Sequence, residues 1–230
     1  MSVSPPVTPA YLLKGYALAL EQCGLLLRDA VRLYESGSYA TAVVLAAFAR
    51  EELGRSQILL DLWRRQRDGH SATVEQIDTA CGEHLDKQRA GMLSMTMRAD
   101  RQTGLGKILT GRMTNALQSQ EWKDADAILK QIDEKKAKRT PDDRHNTRMR
   151  ALYVEPTSSS EWNRPADMSA QAAHDFLQDA VNDYAGRYGQ GYVTSNQCIL
   201  KDIDADLYNA LEQLADRPQL PPPEQPSWPK

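Results

Sequence analysis

Cysteine is scarce in this chain of 230 residues, and its three copies, Cys23, Cys81 and Cys198, are odd in number and far apart. None stands in a CxxC spacing, which argues against a zinc site and for a reducing compartment. No apolar run is long enough to span a bilayer, and the polar, Pro-rich residues 1–9 hold no basic segment followed by an apolar one. Neither membrane contact nor a secretory leader is therefore expected, and the expected location is the cytoplasm. Strand-type alternation, internal repeats and a heptad run long enough for a coiled coil are all missing, which leaves helices of the globular kind. No HExxH, no paired ExxH and no Ser, His and Asp arrangement marks a metal centre or a hydrolytic triad, so neither metal nor cofactor is expected. Positive charge is not in excess either: the formal net charge is -3 and the pI about 5.8. Any contact with RNA or DNA has to be local.

What the chain has is helical periodicity. Over residues 9–36, Leu12, Tyr16, Ala19, Cys23, Leu26, Ala30 and Leu33 recur at spacings of three and four, which predicts one long amphipathic helix. Ser36-Gly37-Ser38 supplies a C-terminal glycine and a new N-cap, so a second helix should return antiparallel and stop at Gly69. Residues 73–97 read as a third helix, weakened by Gly82 and Gly91. Around Gly104, Gly106 and Gly111 the GLGK string lacks the spacing of a phosphate loop, and Lys107 reads as surface. Residues 121–138 read as a solvated, strongly charged helix. Pro141, Asp142 and Asp143 start a short helix that carries His145 with Arg144, Arg148 and Arg150. Next come a loop in which Trp162 should anchor against the bundle, a helix capped by Asp167 or Ser169 and running to about residue 188, and a last helix over 199–214. The expected organisation is a flexible N-terminus at 1–8, one all-α domain at 9–216 and a Pro-rich disordered tail at 217–230.

The stretch from Tyr39 to Arg55 is apolar on every side of a helical wheel, as befits a helix surrounded by other helices. It should be the central helix of a bundle. Two adjacent carboxylates, Glu51 and Glu52, interrupt it, with Arg55 one turn on. Leu45, Phe48, Glu52, Leu59 and Leu62 share one stripe, which places Glu52 among buried neighbours, and a buried carboxylate needs a partner. Two readings follow. The carboxylates belong to a structural ion network inside a packed bundle, or they position basic groups of a composite site.

The pattern YxxAVxLAxxAxEELGR over Tyr39 to Arg55, the later His84-Leu85-Asp86-Lys87, and Asn146-Thr147-Arg148-Met149-Arg150-Ala151-Leu152-Tyr153-Val154 together resemble the AbiV family of abortive infection proteins, a branch of the HEPN superfamily. The resemblance spans roughly residues 10–190. It implies a HEPN-like helical bundle with antiparallel long helices and additional C-terminal helices, often a homodimer, serving antiphage defence by arresting the infected cell. HEPN relatives are frequently metal-independent ribonucleases with an arginine and a histidine four to six residues apart on a late helix and an acid on the central helix.

RNA cleavage of that type needs a base for the 2′-hydroxyl proton, an acid for the leaving oxygen, and cations for charge growing on the phosphate. Histidine suits the proton steps because it titrates near neutrality. Two pairs match the arginine-to-histidine spacing: Arg65 with His70, which flank Gly69, and Arg139 with His145, which Pro141 separates. Neither pair should share one helix. His145 and Arg148, three apart with Arg144 beside them, and His84 with Lys87 are better placed. The candidate set is therefore His145 and His84 for proton transfer, Arg144 and Arg148 beside them, Glu52 and Glu51 as orienting acids, and Lys87, Arg55 and Arg150 as RNA phosphate ligands. Tyr153 should pack or bond to a core carboxylate, and His174 should lie at the surface. The rival reading is a non-catalytic interaction protein that binds a phage product or the translation machinery. A phage trigger protein, an antitoxin and a second copy of the chain are the other partners considered.

Overall fold

The computed structural model describes residues 5–99, 141–157, 161–189 and 219–223. The glycine-rich interval with Lys107, the charged 121–138 segment, Arg139, Cys198 and the 199–214 segment lie outside the described residues.

The first helix, α1 (Pro9–Glu35), starts where Thr8 accepts a hydrogen bond from the Tyr11 amide at 3.2 Å and proline takes the first helical position. It ends in a Schellman turn. Gly37 adopts φ +81°, its amide donates to the Tyr34 carbonyl, and the Ser38 amide donates to Leu33 at 2.8 Å. The chain thereby reverses into α2 (Tyr39–Arg67), as expected, although the Ser38 side chain makes no capping bond. A second Schellman turn closes α2 at Gly69, φ +90°, with the His70 amide donating to the Arg65 carbonyl at 3.0 Å. The Arg65 and His70 spacing is thus a helix stop, and His70 is exposed.

The single third helix expected over 73–97 is in fact two. A capping box of Thr73 and Gln76 starts α3 (Val74–Gly82). Glu83 is extended, φ -78° and ψ 127°, and α4 (His84–Ala99) then sets off anew. The chain continues through α5 (Pro141–Leu152), a two-residue antiparallel pair β1 (Glu155–Pro156) and β2 (Trp162–Asn163), a short 3-10 turn at Pro165–Asp167, and α6 (Ala170–Gly189). Ser169 caps α6 by accepting from the Ala172 amide, while Asp167 pairs with Arg164. Trp162 does not anchor the loop: it is 63% exposed.

The core lies between α1, α2 and α6. Leu12, Tyr16, Leu20 and Leu27 of α1 meet Val43, Ala46, Ala49 and Leu53 of α2 and Leu177, Val181 and Tyr184 of α6. The all-α architecture and the central position of α2 agree with the expectation: α2 packs against α1, α4, α5 and α6. Parts of both expected tails also pack. The Val7 amide donates to the Ala72 carbonyl at 2.8 Å, and Leu220 is buried, its amide donating to Gln178 at 2.7 Å. Among the described residues, no helix is long and apolar enough to cross a membrane.

Two glycines set the spacing of α2 and α4. A side chain at Gly54 would overlap the Lys87 carbonyl, and one at Gly91 would come within 3.1 Å of the Arg50 carbonyl. Only glycine lets the two backbones approach this closely. That approach delivers the start of α4 to the middle of α2.

Candidate functional site

Glu51 is the centre of the polar cluster. Its side chain is 5% exposed, and three basic groups from two other helices converge on it. From α4, the His84 Nδ1 lies 2.6 Å from Oε2, and the Lys87 Nζ lies 3.7 Å from the same oxygen. From α5, the Arg148 Nη1 donates to Oε1 at 2.7 Å. The other terminal nitrogen of Arg148 lies 3.4 Å from the His145 Nδ1. A chain of contacts therefore runs from His84 through Glu51 and Arg148 to His145.

The partners dictate the tautomers. A carboxylate accepts, so Nδ1 of His84 carries a hydrogen and Nε2 of the neutral ring keeps its lone pair. A guanidinium has only donors, so Nδ1 of neutral His145 accepts and its proton sits on Nε2. His84 is half exposed, 54%, whereas Lys87 and Arg148 are buried. One buried carboxylate thus faces both an arginine and a lysine, beside a ring that water reaches.

A second network abuts the first through Arg50, the sequence neighbour of Glu51. Its Nε and Nη2 contact Asp183 Oδ2 at 3.0 and 2.9 Å, and Arg144 Nη1 lies 3.7 Å from the same oxygen. Burial pushes the Asp183 carboxyl above the ordinary range, against the pull of Arg50 and Arg144. Arg144 and Arg148 are one turn apart on α5, and each is held by a carboxylate on a different helix, Asp183 on α6 and Glu51 on α2. This double clamp fixes the helix that carries His145.

The structure thus brings together Glu51, His84, Lys87, Arg148 and His145, and places Arg144 in the adjoining network. It separates the rest. Glu52 does not occupy the buried stripe: its side chain is 22% exposed and pairs with Arg55 at 3.2 Å within α2. Of the stripe it shares with Leu45, Phe48, Leu59 and Leu62, Leu59 is buried as expected while the others are partly exposed, and Arg55 is taken up by Glu52 and not by the Glu51 site. Arg150 is exposed and bonds Asn163 at 3.4 Å, away from the cluster. Tyr153 is half exposed just past the end of α5 and is bonded to no core carboxylate among the described residues. His174 is half buried, its ring near Tyr34 and Asp175, so it is not a plain surface residue. Sequence reasoning missed Arg50 and Asp183. The signal was present in an arginine set among alanines and leucines, and an aspartate four residues after buried Asp179 on an apolar helix face.

Fold and site together define an all-helical bundle whose central helix carries a buried acid clasped by histidine, lysine and arginine from later helices. The chain belongs to the AbiV family of the HEPN class, whose family model matches residues 11–186. That membership makes it a HEPN-type protein of abortive-infection defence. No curated protein and no solved structure matches the chain.

Proposed function

We propose that the Glu51 site cleaves RNA by metal-independent transesterification, and that this is how the protein arrests an infected cell. The observation that carries the reading is His84, oriented through Nδ1 by a buried carboxylate while its ring stays open to solvent. A base held by an orienting group is the arrangement that proton abstraction requires. In the step, the 2′-oxygen attacks phosphorus and its proton passes to Nε2 of His84. The bond from phosphorus to the 5′-oxygen breaks while the Nε2–H of neutral His145 donates a hydrogen bond to that oxygen, and the proton taken up by His84 passes to it through water. The products are a 2′,3′-cyclic phosphate end and a 5′-hydroxyl end. Lys87 and Arg148 supply positive charge for the pentavalent phosphorane.

Purified protein incubated with single-stranded RNA, with the ends of the products analysed, tests the reading. His84→Ala and His145→Ala should each slow cleavage by about 10²- to 10⁴-fold. Equal and negligible cleavage by wild type and both variants removes it.

A second reading has its own observation. Leu152, Tyr153, Val154 and Trp162 are all exposed around the end of α5 and the hairpin, and grouped exposed apolar side chains mark interaction surfaces. In this reading the protein halts growth by binding a phage trigger protein, an antitoxin, a translation component or a second copy of itself. Tyr153→Ser with Trp162→Ser would then abolish growth arrest, and His84→Ala would leave it intact.

A further inference from the structure

Phe48 lies on the partly exposed face of α2, itself 37% exposed, while the alanines on either side of it are buried. A phenylalanine left part-exposed on the central helix forgoes hydrophobic burial, and its position says what it is near. It lies one turn before Glu51, and its ring centre is 5.9 Å from the Arg148 guanidinium carbon. The same guanidinium holds Glu51 and approaches His145. Among the described residues, the other exposed aromatics, Tyr11, Tyr153 and Trp162, belong to other segments.

Resting on the RNA reading above, the geometry points to Phe48 as the binding residue that receives an unpaired nucleobase beside the scissile phosphate. The polar chain from His84 to His145 commits its rings and its guanidinium to Glu51, the phosphate and the proton steps, so a base needs another face to stack on. An aromatic face at its edge supplies the missing contact. Unpaired RNA bases stack on aromatic side chains, and the contact tolerates any base because every base has a π-face. Arg148, 5.9 Å from the ring centre, holds a cation close to where the phosphate of a stacked nucleotide would lie. A duplex does not fit, because its bases are already stacked and paired. The substrate class is therefore single-stranded RNA with at least one base splayed out next to the cleaved bond.

The test uses the full chain as wild type, Phe48→Leu and Phe48→Tyr, with dye-labelled single-stranded RNA oligonucleotides read by fluorescence anisotropy. One oligonucleotide set carries a single abasic nucleotide at successive positions, and a matched duplex is included. Phe48→Leu should weaken binding about five- to 150-fold, a range corresponding to the stacking of one base, and Phe48→Tyr should bind like wild type. An abasic nucleotide at one position should cost wild type the same factor and cost Phe48→Leu nothing more. Should Phe48→Leu fail to fold, the abasic series on wild type decides alone: equal affinity at every position overturns the proposal. Unchanged binding by a folded Phe48→Leu, or duplex binding as tight as single-strand binding, also overturns it while the RNA reading stands. If wild type neither binds nor cleaves RNA, the reading beneath it falls as well.

Discussion

Glu51 and Glu52 are chemically identical neighbours separated by one residue's rotation about α2, and that rotation decides their roles. Glu51 turns inward to three basic groups, whereas Glu52 turns toward Arg55 at the partly exposed face. Replacing Glu51 by Gln leaves Arg148 and Lys87 buried without a counter-charge. It should cost about 3–5 kcal/mol, the usual loss when one partner of a buried pair is removed. Glu52→Gln touches only a partly exposed pair and should change stability by no more than about 1 kcal/mol. Urea unfolding of the two variants beside wild type measures both. The sequence could not tell the two acids apart. An apolar helix with polar breaks on several sides carries little periodic signal about which side faces which neighbour, so the stripe through Leu45, Phe48, Leu59 and Leu62 looked like core although only Leu59 of it is buried.

At the scale of the helices, the site depends on how closely α4 lies on α2. Gly54→Ala forces its new methyl into the Lys87 carbonyl, and backbone cannot yield as a flexible side chain can. The expected loss is about 1–3 kcal/mol from overpacking, together with displacement of His84 from Glu51. Gly82→Ala meets open space at the end of α3 and should be neutral or slightly stabilising. Thermal melts separate the two, and NMR of the imidazole protons reports whether His84 keeps its partner. The clamp on α5 gives a pH-dependent prediction. Burial raises the Asp183 carboxyl, so its contribution to stability is complete below the ordinary carboxylate range and declines as pH rises through the folded value. Arg50 opposes that shift by charge and hydrogen bond. Arg50→Met should therefore raise the Asp183 carboxyl further, and its stability deficit against wild type should widen as pH rises through and past the wild-type folded value. Urea midpoints of both proteins across that range check the sign; a constant gap would refute it.

Taken whole, the molecule carries a net charge of -3, and its positive charge at the site is local, supplied by Arg148 and Lys87 beside one carboxylate. Such a protein should grip one or two phosphates and not coat a strand. The logarithm of RNA affinity should then fall with the logarithm of salt with a slope of about -0.7 to -1.4, measured by titration at several salt concentrations. A slope several times steeper would mean a basic surface broader than the Glu51 site.

By itself the sequence determined the local and the cumulative features: the helical class, the Gly37 and Gly69 stops, the proline start of α5, the enclosed central helix, and the family, carried by motifs in the right order. These follow from periodicity, capping and backbone restriction, which act within a few residues. Only the tertiary structure decided that Glu51 and not Glu52 is the buried acid, that residues 73–97 break so that His84 opens a helix, that Asp183 joins Arg50 to Arg144, and that Phe48 faces outward. Each of those contacts or exposures depends on helices meeting at set distances, and side chains as far apart in sequence as Glu51 and Arg148 find each other only once glycine-spaced backbones have packed.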